Sequence, residues 1–304
     1  MTVRSRLALP ALVIAAACLT VLATACSSIG DTTSNDANSA PLIPASGSPL
    51  YYISLGDSLA TGTQPVSNGG QRSTDQGYVD DIYAHYHAEA KFHSLTEVKL
   101  GCSGETTASM ITGRNSPCQY QDGSQLNQAV AFIRAHKSRI ALVTINIGGN
   151  DIECVGPTWY SSSCASSGLA TISRNVPKIL STLRAAAGSK TVISGMTYYD
   201  PYLAYALESA QGETAAKQSL TLIVDFNQRL ASAFKTYDVK RAAVQAAFDT
   251  TDMSKTHGEP VDVARICQWT WMCASAPVGP NMHANPTGYK VIAGAFERAI
   301  GTPS

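Results

Sequence analysis

The sequence predicts an α/β domain in which helices cover a central, mostly parallel sheet. Two observations support this class. Short apolar runs alternate with longer helical stretches along the chain, and the runs at 141–147 and 191–194 are apolar almost throughout. Strands that are apolar on both faces are typical of a parallel sheet buried between two layers of helices. The expected architecture is therefore a three-layer α/β/α sandwich.

The individual elements follow from length and periodicity. Strands are expected at 51–55, 97–100, 141–147 and 191–194, and the second of these is the weakest. Helices are expected at 78–90, 125–136, 172–187, 214–237 and 286–300. The last helix starts at Pro286, and proline is well tolerated in the first turn of a helix.

Size and charge limit the possible functions. The chain has 304 residues, of which 44% are hydrophobic, and this is enough for one sizeable core. Lys plus Arg and Asp plus Glu each number 22, so the net charge is zero and nothing favours nucleic acid as a partner. We expect one catalytic domain over residues 49–304, acting as a monomer.

The N-terminus has the pattern of an export signal. Arg4 and Arg6 precede an apolar run at 7–25 that ends in small residues, so residues 1–25 are predicted to be a signal peptide. The run Leu-Ala-Thr-Ala-Cys that ends at Cys26 resembles a bacterial lipobox. It predicts cleavage before Cys26 and lipidation of its thiol. In the alternative, Cys26 is incidental and the protein is soluble and secreted.

Residues 26–48 are predicted to be a flexible tether. They are rich in Ser, Asn, Asp, Thr, Ala and Pro, and contain few large apolar side chains that could build a core. With a lipidated N-terminus, this tether would hold the domain at the outer face of the bacterial cytoplasmic membrane.

The cysteines also indicate export. Of eight, Cys18 lies in the predicted signal and Cys26 is the lipidation candidate, which leaves an even number for disulfides. No Cys-x-x-Cys pair suggests a zinc site, and no metal is expected. Several connectivities are possible, but grouping along the chain favours three local pairs. They are Cys102–Cys118, Cys154–Cys164 and Cys267–Cys273.

A serine follows the first predicted strand directly, in the sequence Gly56-Asp57-Ser58-Leu59. The carboxyl ends of parallel strands form the edge where open α/β sheets bind ligands, so this hydroxyl is expected at an active edge. The Gly-x-Ser-x-Gly elbow of α/β-hydrolases is not present here, because Ala60 stands two residues after the serine. Asp57 is expected to fix the turn through hydrogen bonds rather than to act in catalysis.

Three further segments carry matching chemistry. The run 100–107 contains glycines after the second strand, where a backbone N–H can approach a substrate oxygen closely. Gly-Gly-Asn-Asp at 148–151 follows the most apolar strand, and places Asn150 and Asp151 at the same edge. His283 lies just before the final helix. A nucleophile, a base and hydrogen-bond donors for a developing oxyanion are the parts that acyl transfer requires.

These four segments, in this order, resemble the four sequence blocks of the SGNH (GDSL-type) hydrolases, and the resemblance covers residues 51–300. It implies a flavodoxin-like α/β fold and no cofactor. It also implies Ser58 as nucleophile, His283 as general base, and an oxyanion hole built from the N–H groups of Ser58 and Gly104 and the amide of Asn150. In the alternative, Asn150 merely caps a turn.

The chain departs from the family pattern at the third catalytic residue. Most members carry an aspartate three residues before the histidine, whereas this chain has Pro280 there, followed by Asn281. Some members use a main-chain carbonyl to orient the imidazole. Two orienters of His283 therefore remain open, namely the carbonyl of Pro280 and the side-chain oxygen of Asn281.

The predicted activity is hydrolysis of carboxylic esters, either of small molecules or of lipids, through an acyl-enzyme on Ser58. An acyltransferase or carbohydrate O-deacylase acting on cell-envelope glycans or glycolipids would use the same residues. A lipid-anchored binding protein on an inactive hydrolase scaffold is the alternative from another class.

Overall fold

Runs that are apolar almost throughout form the centre of the sheet, as predicted. The computed structural model describes residues 49–256 and 258–303. Its main sheet contains β1 (Leu50–Gly56), β2 (Leu95–Lys99), β3 (Ile140–Asn146), β4 (Val192–Met196) and β5 (Lys240–Ala242). All neighbouring strands are parallel, in the order β2-β1-β3-β4-β5. The predicted α/β class is confirmed, and this strand order is that of flavodoxin-like folds.

In residues 49–303, as far as the structure describes them, eight α-helices connect and flank these strands. They are α1 (Tyr78–His87), α2 (Thr107–Thr112), α3 (Gln125–Ala135), α4 (Ser162–Ala187), α5 (Ala210–Thr236), α6 (Val244–Ala247), α7 (Val261–Trp269) and α8 (Pro286–Ile300). Short 3-10 helices lie at Gly149–Ile152 and Pro201–Leu207, after β3 and β4.

The helices form two packed sets. Helix α1 contacts α8, and the Tyr78 and Phe296 rings stack between them with centroids 4.9 Å apart. Helices α3, α4 and α5 pack side by side as the second set. All seven residues of β3 are buried, as a strand covered on both faces requires.

The strand order places a crevice at the carboxyl edge of the sheet. The chain passes from β1 outward to β2 and then returns across β1 to β3, so the loops after β1 and β3 diverge at this edge. A two-stranded antiparallel ladder, Thr270–Trp271 with Asn281–Ala284, carries His283 and leads into α8. Further two-stranded ladders pair Gln64–Pro65 with Gln71–Arg72, Val155–Gly156 with Trp159–Tyr160, and Lys255–Thr256 with Glu259–Pro260.

The predicted signal peptide, the lipidation candidate Cys26 and the predicted tether lie outside the described residues. Within the part of the chain that the structure describes, no helix combines the length and the apolar composition needed to cross a membrane.

Candidate active site

Three of the predicted site residues line one cavity at the carboxyl edge of the sheet, namely Ser58, Asn150 and His283. They come from the loop after β1, the 3-10 helix after β3 and the ladder before α8. Gly104 is exposed in the loop after β2 and is not among the residues that line this cavity. Its φ of 84° is in the left-handed region that favours glycine.

The turn that presents Ser58 requires glycine at its start. Gly56 has a φ of 146°, and a Cβ at this position would collide with the side chain of Asn146 at the end of β3. Gln125 binds both polar groups of the Gly56 backbone, with its Oε1 2.7 Å from the N–H and its Nε2 3.0 Å from the carbonyl. The first strand is thereby fixed at its last residue, and Ser58 follows in a half-buried position.

Asp57 fixes the same turn through hydrogen bonds of its buried carboxylate. Its carboxylate accepts hydrogen bonds from Leu59 N–H at 3.0 Å, Asn146 Nδ2 at 2.6 Å and Tyr198 OH at 3.1 Å. Burial raises the pKa of Asp57 to about 6, while these three donors act in the opposite direction. All three bonds tie the turn to its surroundings, as expected for a positioning carboxylate.

Asn150 links the loops that follow β2 and β3. Its Nδ2 donates a hydrogen bond to the carbonyl of Glu105 at 2.8 Å. The primary amide carries two hydrogens, so this bond fixes the side chain and leaves a second N–H for the cavity that Asn150 lines. The neighbouring Asp151 adds a second link, because it accepts from Thr107 N–H at 2.8 Å and from Thr107 Oγ1 at 2.7 Å.

His283 is buried, and its ring is held by Asn281. Nδ1 of His283 lies 2.8 Å from Oδ1 of Asn281, and the same oxygen accepts the backbone N–H of His283 at 3.0 Å. Because an amide oxygen only accepts, this contact places the ring hydrogen on Nδ1 and leaves a lone pair on Nε2. Of the two predicted orienters, the side chain of Asn281 makes this bond, rather than the carbonyl of Pro280.

The environment of His283 favours the neutral ring. Burial lowers the pKa of His283 to about 4, and no carboxylate of the described residues counteracts this effect. The ring is therefore available as a base over the whole neutral range. Its loop is held by Tyr199, whose hydroxyl donates to the Met282 carbonyl at 2.8 Å and whose ring stacks on Phe248.

The walls of the cavity come from segments that the sequence motifs did not include. Apolar side chains follow Asn150 along the chain, and others come from the middle of α5. Tyr198, Tyr199 and Tyr202 come from the segment after β4, where the carboxyl end of a predicted strand was the available signal. The apolar members of the wall are Leu59, Ile152, Val155, Leu222, Ile223 and Met282.

The six cysteines form the three predicted local pairs, Cys102–Cys118, Cys154–Cys164 and Cys267–Cys273. Each pair closes a loop near a site residue. Cys102 donates its backbone N–H to the Gly56 carbonyl at 3.0 Å, so the first disulfide joins directly to the turn that presents Ser58.

We expect reduction of these disulfides to lower esterase activity before it unfolds the domain. The bridges brace loops at the sheet edge, whereas the strands and helices are held by the core. Activity and near-UV circular dichroism should be followed over a dithiothreitol titration. Loss of both signals at the same reductant concentration would contradict this expectation.

The chain resembles solved structures in its overall fold. A phospholipase A1 from Streptomyces albidoflavus NA297 is 19% identical with a TM-score of 0.52, over 83% of this chain and 100% of that chain. An extracellular lipase from Streptomyces rimosus is 18% identical with a TM-score of 0.53, over 82% and 99%. A putative GDSL-like lipase from Parabacteroides merdae ATCC 43184 is 16% identical with a TM-score of 0.51, over 84% and 97%. No curated protein matches the chain in sequence.

The model of the GDSL-like lipase/acylhydrolase family matches residues 54–291, which is most of the chain and includes Ser58, Asn150 and His283. The chain therefore belongs to the GDSL-like lipase/acylhydrolase family and is a carboxylic ester hydrolase.

Proposed function

We propose that this protein hydrolyses carboxylic esters through an acyl-enzyme formed on Ser58. The observation that carries the proposal is the meeting of three groups at one cavity. A serine hydroxyl, a buried neutral imidazole and a fixed side-chain amide all line it. Mutual placement of a nucleophile, a base and an oxyanion donor is the arrangement that acyl transfer needs.

Each group has one step in the reaction. Nε2 of His283 takes the proton of the Ser58 hydroxyl as its oxygen attacks the ester carbonyl. The free N–H of Asn150 and the backbone N–H of Ser58 stabilise the negative charge on the tetrahedral intermediate, whereas Gly104, the third predicted donor, does not line the cavity. The imidazolium then protonates the departing alcohol. Water attacks the acyl-enzyme by the same route and releases the acid.

The hydrogen bond between Asn281 and His283 gives the Ser58–His283 pair a testable property. In Asn281→Ala, the ring of His283 loses its orienting acceptor, and we expect kcat to fall about tenfold, which corresponds to one hydrogen bond of about 1.5 kcal/mol. In Asn281→Asp, a carboxylate replaces the neutral oxygen and favours the imidazolium. We therefore expect the acid limb of the kcat/KM profile to move upward from a midpoint of about 4.

The sign of that shift follows from the role of the base. Activity requires the neutral ring, so a higher pKa means that activity is lost at a higher pH as the solution is acidified. Full pH profiles of the wild type and both variants provide the measurement. Unchanged turnover in Asn281→Ala would transfer the orienting role to the carbonyl of Pro280.

The proposed activity itself is tested with an active-site probe and an ester series. A fluorophosphonate should label the wild type but not Ser58→Ala, since the probe needs an activated serine. Rates on p-nitrophenyl esters of increasing acyl length would then define the acyl preference of the cavity. Labelling of Ser58→Ala, or no hydrolysis of any ester, would reject the proposal.

We also propose export and anchoring through a lipid on Cys26. Three disulfides support an oxidising compartment, because such bonds seldom persist in the cytosol. When the full sequence is expressed in a bacterial host, metabolic labelling with an alkynyl fatty acid should mark the wild-type protein. The Cys26→Ala variant should remain unlabelled. Equal labelling of both would contradict anchoring at this cysteine.

A further inference from the structure

The cavity of the site is rich in carboxyl groups. Besides Asp57, its lining includes Glu153 and Asp200, and among the described lining residues there is no lysine or arginine. Asp57 is paired with three donors, as described above. Of the other two carboxyls, Asp200 accepts hydrogen bonds from the described residues at only one of its oxygens, and Glu153 is exposed.

Asp200 is fully buried and only half paired. Its Oδ1 accepts hydrogen bonds from Tyr202 N–H at 3.0 Å and from the Ser219 hydroxyl at 2.7 Å, whereas its Oδ2 has no hydrogen-bond partner among the described residues. Burial raises the pKa of Asp200 to about 7; the charge of Asp262 contributes to this rise, while the hydrogen bonds from Ser219 and Tyr202 act in the opposite direction. A buried carboxyl oxygen without a partner carries a substantial free-energy penalty, which a ligand that brings positive charge would relieve.

Glu153 is exposed and lines the same cavity, and its charge acts on a pair of tyrosines, Tyr202 and Tyr205. Tyr202 lines the cavity and its ring stacks on that of Tyr205, with centroids 5.6 Å apart and planes inclined by 24°. Burial raises the pKa of Tyr202, and the charge of Glu153 adds to this effect. The pKa of Tyr205 is likewise raised by burial and by nearby carboxylates, Glu153 among them.

Aromatic faces and unpaired carboxyls together are complementary to one kind of ligand. Tyrosine faces attract organic cations, and a cage of aromatic rings with an acidic group is how proteins recognise quaternary ammonium groups. An acyl chain alone would need the rings but not the carboxyls. Anionic groups such as phosphate would be repelled by the same carboxyls.

We propose that this cavity binds esters that carry an organic ammonium group, with the cation held between Glu153, Asp200 and the ring of Tyr202. The proposal rests on the ester hydrolysis proposed above, and it names the substrate class of that site. The overall reaction is unchanged, since water cleaves the ester bond and the ammonium group leaves with either the alcohol or the acid.

Two pairs of substrates separate charge from shape. The first pair places the cation on the alcohol and compares butyrylcholine with its neutral carbon isostere, neohexyl butyrate. The second pair places the cation on the acid. It compares the p-nitrophenyl ester of γ-butyrobetaine with the neutral ester in which C(CH3)3 replaces N(CH3)3+. We expect kcat/KM to favour the charged member about tenfold in at least one pair, as for a desolvated cation–π contact. Ratios near one in both pairs would overturn the proposal.

Inhibition identifies the residues. Tetramethylammonium chloride should inhibit p-nitrophenyl butyrate hydrolysis competitively, relative to sodium chloride at equal ionic strength. We expect Glu153→Gln and Asp200→Asn each to raise the inhibition constant of tetramethylammonium about three- to tenfold. Glu208→Gln is the matched control, because Glu208 is an exposed carboxylate near Tyr205 that does not line the cavity. The inhibition constant should not change in this variant.

The outcomes distinguish this inference from the proposed function. Hydrolysis of the neutral esters without any preference for the charged ones, and with no inhibition by tetramethylammonium, would overturn the ammonium site and leave the esterase intact. Equal effects of Glu153→Gln and Glu208→Gln would also overturn it, because a general charge effect would then explain the inhibition. Absence of all hydrolysis and of fluorophosphonate labelling would reject the esterase itself.

Discussion

Replacing Ser58 by alanine is expected to lower kcat for ester hydrolysis by about 10⁴- to 10⁶-fold. The hydroxyl supplies the attacking oxygen, and Ser219, the other serine among the described residues that line the cavity, donates its hydroxyl to Asp200. The remaining activity would come from substrate binding and from the proposed oxyanion donors, such as the amide of Asn150. Single-turnover and steady-state rates on p-nitrophenyl butyrate provide the measurement.

The control uses the interdependence of the two proposed catalytic groups, Ser58 and His283. His283→Ala should lower kcat by a similar factor, and the double variant should be no slower than the slower single variant, because neither group works without the other. Ser58 is only half-buried, so the thermal midpoint of Ser58→Ala should stay close to that of the wild type. Losses that multiply in the double variant would indicate that the two residues act separately.

The centre of the fold was predictable from sequence because its strands are apolar on both faces. The run 140–146 is buried throughout and needed no long-range information. Strand β5 is different, since it has only three residues and both Lys240 and Arg241 are exposed at the edge of the sheet. An edge strand of this length carries no hydrophobic signal, and its pairing with β4 decides its conformation.

Helix bounds were less predictable where polar residues start a helix. Helix α4 begins at Ser162, ten residues before the predicted start, although its first turns are rich in serine, alanine and glycine. The hydroxyl of Ser161 accepts the N–H of Cys164 at 3.2 Å and caps this end, and the Cys154–Cys164 disulfide holds it in place. Helix α7 has only nine residues and was not predicted at all.

The placement of Ser58, Asn150 and His283 at one edge was predictable because each follows a strand or precedes a helix within a motif. The cavity walls were not, because they are contributed by segments far apart in sequence, such as Tyr198 and Leu222. The orienter of His283 also needed coordinates. Sequence position places both Pro280 and Asn281 close to the ring, but only side-chain geometry shows that Oδ1 of Asn281 turns back to Nδ1.

Replacing Asn150 by alanine is expected to lower kcat about 100- to 1000-fold, with little change in KM. The amide is fixed by the Glu105 carbonyl, so its second N–H needs no reorganisation when negative charge develops on the substrate oxygen. An interaction made mainly in the transition state affects kcat rather than ground-state binding. Steady-state kinetics on a neutral p-nitrophenyl ester separate the two constants.

Two further variants test whether the loss comes from the donor or from the loop. Asn150→Asp keeps the size of the side chain but replaces the donor with an anion, and should be at least as slow as Asn150→Ala. Asn175→Ala removes a nearby amide that donates to Thr107 at 3.0 Å, outside the residues that line the cavity, and should retain most activity. A comparable loss in Asn175→Ala would mean that the loops after β2 and β3 act through their packing, and that Asn150 is one of several anchors rather than the oxyanion donor.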